Sequence, residues 1–91
     1  MCTMIAEKIK VDGSGKGTNG WFVLNQANVS YDHPFNAPYE YALNLDFVNE
    51  SLGSSARVAV ELSESAAREL VKTILAVLDE AEAGGHISKN R

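Results

Sequence analysis

Apolar and polar residues alternate along four segments of the chain, which is the pattern of strands with one buried face. The four segments are Ile5 to Val11, Trp21 to Tyr31, Tyr39 to Asn49, and Arg57 to Leu62. The alternation is clearest in the third segment, where aromatic and aliphatic residues oppose Glu40, Asn44 and Asp46. The pattern therefore predicts four strands in the first two thirds of the chain.

After Leu62 the apolar period changes from that of a strand to that of an α-helix. The apolar residues at helical spacing are Ala67, Leu70, Val71, Ile74, Leu78 and Ala81. Ser63 is a good N-cap, and Gly84 with Gly85 supplies a stop signal. The spacing predicts one helix of about 20 residues, which would be about 30 Å long.

The order of these elements predicts an α+β fold. One apolar face on each strand and one amphipathic helix indicate a four-stranded antiparallel sheet with the C-terminal helix packed on one face. Short connections favour a meander, in which the strands lie side by side in the order 1-2-3-4. We expect residues 1–85 to form a single domain and residues 86–91 to form a flexible tail.

The glycine-rich stretch from Asp12 to Gly20 is predicted to be a flexible hairpin loop. Its Gly15-Lys16-Gly17 sequence resembles part of a phosphate-binding loop. That motif requires Ser or Thr directly after Gly-Lys, followed by a helix whose N-terminus faces the phosphate. Here glycine follows the lysine and a strand comes next, so we do not predict a phosphate-binding loop.

An assumed pairing of the strands brings distant polar residues together. If Val11 lies opposite Trp21, and Tyr31 lies opposite Tyr39, three residues fall in one row on the sheet face away from the helix. That row consists of Cys2, Ser30 and Glu40. A slip of one residue in the pairing would abolish the row.

The segment from Tyr31 to Glu40 is the main candidate for a binding site. It connects two strands, contains two prolines, and holds an Asp-His pair beside several aromatic residues. We predict that a small ligand or a protein partner binds there. The candidate ligand-binding residues are Tyr31, Asp32, His33 and Tyr39.

An enzymatic or metal-dependent role is the alternative for the same region. Cys2, His33 and Glu40 would then supply a thiolate, an imidazole and a carboxylate, which serve in nucleophilic catalysis or as ligands of zinc or iron. The chain contains no closely spaced ligand pair such as Cys-x-x-Cys. We therefore assign no cofactor and no metal ligands from the sequence, and the metal site remains only part of the alternative. Whether the protein is an enzyme stays open.

The face of the sheet away from the helix is expected to form a homodimer. The assumed register places Phe22, Leu24 and Val48 together on that face. A cluster of exposed apolar side chains usually marks a partner surface.

Glu7 shares the helix-side face with apolar residues of the first strand. A carboxylate there is costly if it is buried, so we expect the first strand to be an edge strand beyond the helix. The alternative is a perturbed carboxylate that lines a small pocket.

Composition narrows the classes of function. The formal net charge of −4 argues against nucleic-acid binding, which normally requires a basic surface. The single cysteine, Cys2, cannot form a disulfide within the chain. The sequence shows neither a secretory signal nor an apolar stretch long enough to span a membrane. We therefore expect a cytoplasmic protein with neither a nucleic-acid nor a membrane partner.

Four stretches carry a resemblance to a known family. They are Met1 to Ile9, Gly13 to Gly17, Tyr31-Asp32-His33-Pro34-Phe35, and Asp46 to Glu50. Together they resemble a small actinobacterial family of unknown function, over nearly the whole chain. The resemblance implies a bacterial protein, and it assigns no activity, cofactor, partner or site residue.

The leading functional hypothesis is a non-enzymatic, dimeric binding or assembly module with its ligand or partner site at the Tyr31–Glu40 segment. The alternative is a small enzyme or metalloprotein that uses Cys2, His33 and Glu40.

Overall fold

The computed structural model describes residues 5–87 and confirms the predicted α+β fold. Its strands are β1 (Ile5–Gly17), β2 (Gly20–Asp32), β3 (Ala42–Val48) and β4 (Arg57–Leu62), and they are followed by the helix α1 (Glu64–Ala83). A short 3-10 helix, Glu50–Leu52, lies between β3 and β4. The strands form one antiparallel sheet in the order β1-β2-β3-β4, as the meander prediction requires.

The helix begins and ends at the predicted signals. The Ser63 hydroxyl accepts a hydrogen bond from the backbone N–H of Ala66 at 3.2 Å, which satisfies one free donor of the first turn. Gly85 follows the last turn with a φ of +77°, a conformation that favours glycine. No helix in the described part of the chain is long and apolar enough to cross a membrane.

The predicted register is wrong. Tyr31 lies opposite Leu43 rather than Tyr39, and Trp21 lies opposite Lys16 rather than Val11. The displacement follows from the late start of β3 at Ala42 and from a continuation of β1 beyond Val11. Pro38 cannot donate to a ladder, so the chain before Ala42 forms bends instead of pairing with β2.

The row predicted from that register does not form. Ser30 pairs with Ala6 on one side and with Asn44 on the other. Glu40 lies in the connection before β3, outside every strand. Cys2 lies outside the described residues.

The glycine-rich stretch is largely a strand and not a loop. β1 continues to Gly17, and only Thr18 and Asn19 form the turn before β2. A β-bulge between Lys10 and Gly13 shifts the register, so that Gly13, Gly15 and Gly17 lie on the sheet face opposite to that of Ile5 and Ile9. The side chains of Leu24 and Phe22 lie over this face, only 3.2 Å from where a Cβ would stand at Gly15 and Gly17.

The two faces of the sheet differ in chemistry. The inner face, on the side of α1, is mainly apolar: it includes Ile9, Val11, Ala27, Val29, Leu43, Leu45, Phe47, Val58, Val60 and Leu62. Its polar residues lie on β1 and β2, and they are Glu7, Ser14, Lys16 and Asn25. The outer face is mostly polar and includes Lys8, Gln26, Asn28, Ser30, Asn44, Asp46, Arg57 and Glu61. Glu7 is exposed on β1, which is an edge strand as predicted.

The hydrophobic core is small. The buried apolar residues among those described are Ala27, Ala42, Val48 and Ala56, and no large side chain is fully buried among them. The helix contacts the sheet mainly at β3. An apolar groove of about 420 Å³ lies between the inner face and the apolar stripe of α1, defined as Ala67, Leu70, Val71, Ile74, Leu78 and Ala81. Most large apolar side chains of the helix and of β1 therefore stay exposed.

Asn49 is the buried polar residue at the end of β3. Its side-chain carbonyl accepts from Asn25 Nδ2 and from the N–H and hydroxyl of Ser51, while its Nδ2 donates to the carbonyl of Val23 at 2.9 Å. These hydrogen bonds hold the start of the 49–56 loop against β2. They also give the polar atoms of the buried Asn49 side chain the partners that buried polar groups need.

Candidate functional site

The connection between β2 and β3 is held in place by one carboxylate. Glu61, on the outer face of β4, accepts hydrogen bonds from three consecutive backbone N–H groups: Phe35 at 2.7 Å, Asn36 at 3.1 Å and Ala37 at 2.8 Å. Such a run of N–H groups forms an anion-binding concavity. Glu61 therefore fixes the shape of a segment that has no regular secondary structure.

These bonds also change the acidity of Glu61. The N–H groups of Ala37 and Phe35, and to a smaller extent that of Asn36, lower the pKa of the Glu61 carboxyl, while desolvation acts in the opposite direction. Hydrogen bonds to the charged form favour ionisation. The carboxylate is thus the form that organises the loop.

His33 is oriented by the backbone of Glu40 and not by its carboxylate. The imidazole Nδ1 lies 2.9 Å from the Glu40 carbonyl oxygen. Because a carbonyl oxygen can only accept, Nδ1 carries the hydrogen, and Nε2 of the neutral ring is an acceptor. The backbone N–H of His33 donates to Asp32 Oδ1 at 2.7 Å, so the Asp32 carboxylate is held against the backbone of its neighbour.

Three rings stack along the edge of the site. The His33 ring lies on Tyr41 with centroids 4.6 Å apart, and Tyr41 lies on Tyr31 at 5.9 Å. Offset aromatic pairs at these distances are favourable. The stack ties the connection to the inner-face end of β2.

A shallow polar cavity of about 180 Å³ lies on the outer face beside this segment. Ser30, Asp32, His33 and Asn44 contribute to its lining, and Phe35 stands at the tip of the loop with 97% of its surface exposed. Arg57 in the same lining is paired with Asp46 at 2.8 Å. The cavity offers hydroxyl, amide, carboxylate and imidazole groups for hydrogen bonding.

The structure brings some of the predicted site residues together and not others. Asp32 and His33 line the polar cavity with Ser30, and Tyr31 reaches them through the ring stack on Tyr41. Tyr39 is exposed in the connection, apart from that stack. The set of Cys2, His33 and Glu40 is untested, because Cys2 lies outside the described residues.

The chemistry left for His33 is limited by its partner. The ring is oriented by a backbone carbonyl, and no carboxylate of the described residues is hydrogen-bonded to it as the partner of an acid–base pair. Within residues 5–87, no group of three or more His, Cys, Asp or Glu side chains is arranged to hold a metal ion.

The predicted interface residues lie in partly covered positions. Val48 is only 9% exposed. Phe22 and Leu24 are half-buried over the glycines of β1. An interface at these three residues stays a prediction, although Val48 has little surface left to offer a partner.

Two features were not predicted from the sequence. Glu61 was visible only as a polar residue on the outer face of a strand, and no local signal linked it to residues 35–37. The exposed inner face could not be anticipated either, because its apolar pattern is the same as that of a covered face.

Residues 1–87 match the sequence model of a family described as Family of unknown function (DUF6295). The chain belongs to this family. The match confirms the resemblance to a family of unknown function, while the actinobacterial origin stays a prediction. No curated protein and no solved structure matches the chain significantly.

Proposed function

We propose that the protein is a non-enzymatic assembly module whose binding surface is the inner face together with the apolar stripe of α1. The observation that carries this proposal is the open apolar groove between them. Exposed apolar surface of this extent marks a site of association in a folded protein.

The exposure of individual side chains supports the proposal. Ile9 of β1 is 54% exposed and Val23 of β2 is 62% exposed, although both belong to the inner face. Leu70, Val71 and Ile74 of α1 face Ile9 across the groove and are also exposed. Covering these side chains would supply the hydrophobic stabilisation that the small core lacks.

The chemistry of the groove favours a macromolecule over a small ligand. Arg68 is the charged side chain of its lining, which is otherwise aliphatic or aromatic. Small-ligand sites need a few placed polar groups that fix orientation. A continuous apolar surface needs only a complementary apolar surface, such as that of another folded chain.

The Tyr31–Glu40 segment is proposed as a second binding surface, for a small molecule or a protein. Phe35 supports this role, because it is fully exposed on a loop that Glu61 holds rigid, and rigid aromatic residues make good anchors. The enzyme alternative requires Cys2 beside His33. The proposal includes a cytoplasmic location, in keeping with a chain whose single cysteine forms no internal disulfide.

The fluorescence of Trp21 tests the main proposal. Trp21 is the only tryptophan, lies on the same face as Val23, and is 70% exposed in the single chain. If association covers the inner face, acrylamide will quench Trp21 in the native protein much less than in urea. Ile74→Asp should remove this protection, whereas Phe35→Ala on the distant loop should leave it unchanged.

Trp21 quenching as strong as that of the unfolded chain, both in the protein alone and in its complex with any protein that co-purifies with it, would contradict the proposal.

A further inference from the structure

We infer that the partner covering the inner face is a second copy of this chain, related by a two-fold axis. In this dimer the distal half of each helix, defined as residues 75–83, packs on the β1–β2 part of the other copy's inner face. The inference rests on the proposed function, since it names the partner of the same surface.

The distal half of α1 is an apolar surface with little of its own sheet beneath it. The groove is lined from the helix by residues between Ala67 and Ile74. Beyond them, Leu75 is 56% exposed and Leu78 is 50% exposed, although the apolar period continues. Each chain therefore carries an apolar stretch of helix that lacks a packing partner.

The β1–β2 part of the sheet, in turn, lacks a helix to cover its inner face. The helix contacts the sheet mainly at β3. The inner face of β1 and β2 stays exposed at Ile5, Ile9, Trp21 and Val23. Each chain thus has an uncovered helix and an uncovered sheet surface on the same side.

A dimer with two-fold symmetry covers the exposed helix surface and the exposed sheet surface of each chain at the same time. An isologous interface joins the same patch on both copies, so that the helix of each covers the strands of the other. A partner of different sequence would have to supply both a sheet and a helix of matching shape. A second copy already carries both.

The solvent-accessible surface area of the single chain agrees with an uncovered interface of this kind. The single chain exposes 7246 Å², whereas a compact monomer of its mass exposes about 5,200 Å². The eight residues outside the described range account for at most about 1,300 Å² if they are counted as unfolded chain. About 750 Å² of surplus remains, which is close to one side of a standard protein interface.

The dimensions of the chain agree as well. The radius of gyration is 15.2 Å, against about 12 Å for a compact domain of this length. Glu7, the carboxylate on the inner face of β1, is exposed at the edge of the sheet. There it falls on the rim of the interface, where charge is tolerated.

Sedimentation equilibrium on the full chain tests the inference. The expected mass is twice 9.8 kDa. Leu78→Asp lies in the middle of the apolar stripe and should raise the dimer dissociation constant by about 100-fold or more, because each dimer loses two buried leucines. Ala76→Asp, on the opposite side of the same helix, is the matched control and should leave the constant unchanged.

Isotope-filtered NOEs in mixed dimers keep the inference testable if Leu78→Asp fails to fold. In the wild type, methyl groups of Leu75 and Leu78 of labelled copies should contact the Val23 methyls or the Trp21 ring of unlabelled copies.

A dimer whose contacts run instead through Phe22 and Leu24 would overturn both this inference and the proposed use of the inner face. A well-packed monomer with a covered inner face would do the same. A monomer that binds hydrophobic dye until a different protein covers the inner face would overturn the second copy alone and leave the proposed function standing.

Discussion

At the scale of single residues, Glu61 has the largest effect on the candidate site. Its carboxylate gathers three backbone N–H groups from a segment about 25 positions away in sequence. Two prolines already restrict that segment, so little further conformational entropy is lost when Glu61 binds it. The backbone of Phe35 is consequently held at a fixed position, while its side chain is almost completely exposed.

Glu61→Gln should loosen the connection without unfolding the sheet. An amide accepts hydrogen bonds more weakly than a carboxylate, and its NH₂ group cannot accept them at all. We expect faster hydrogen exchange at the N–H groups of Phe35 and Ala37, measured by NMR. Glu40→Gln in the same connection is the control, because the Glu40 carboxylate makes no hydrogen bond within the described residues and its exchange pattern should stay that of the wild type.

The same contact has a defined pH dependence. Because the pKa of Glu61 is lowered in the folded state, its stabilisation of the loop is complete above the usual glutamate pKa. The stabilisation is lost as the pH falls through the lowered value of the folded state. The amide shifts of Phe35 and Ala37 should report a midpoint below that of an ordinary glutamate, and a midpoint at or above the ordinary value would refute the assignment.

Residue contacts of this kind are hard to predict from sequence. Asp32 and His33 were identified as neighbours in a proline-containing connection, and they do line one cavity. His33 is held by the backbone carbonyl of Glu40, and every residue carries such a group. The Glu40 carboxylate was therefore a misleading indicator of this contact. The Glu61 contact depends on the path of the chain between the two strands, which composition does not encode.

At the scale of elements, the helix and β4 were predictable because their signals are local. Ser63 and Gly84 bound the helix, and a strict alternation defines Arg57 to Leu62. β1 was predicted too short because glycine is rare in strands. Its extension depends on Phe22 and Leu24 of the neighbouring strand, which fill the space that the missing side chains leave.

The glycines of β1 should therefore respond differently to the same substitution. A Cβ at Gly15 stands 3.2 Å from Leu24 Cδ2, whereas a Cβ at Gly13 meets no heavy atom within 4 Å. Gly15→Val should lower the free energy of unfolding by about 1–3 kcal/mol through overpacking. Gly13→Val should be neutral or stabilising by up to about 1 kcal/mol, because valine favours extended backbone.

Urea unfolding at one fixed chain concentration measures both variants. Equal changes in the two would show that the close packing of Leu24 over β1 does not determine the register of this hairpin.

At the scale of the whole molecule, the α+β topology follows from the order and period of the elements, but the incomplete core does not. An apolar face has the same pattern whether its own helix, a second copy or another protein covers it. The sequence located the dimer surface on the outer face because one helix was expected to cover the inner one. The helix instead approaches mainly β3, and the larger exposed apolar area lies on the inner face.

A dimer that completes the core makes thermal stability depend on concentration. The melting temperature of a monomeric domain is independent of chain concentration, whereas coupled folding and association shifts it by mass action. A tenfold rise in chain concentration adds about 1.4 kcal/mol to the free energy of unfolding per dimer. For a unit of two such chains this raises the melting temperature by about 3–6 °C. We expect this shift in calorimetry of the wild type and of Ala76→Asp. Leu78→Asp should melt lower at every concentration, and a wild-type midpoint constant over a hundredfold range would show that each chain folds without a partner.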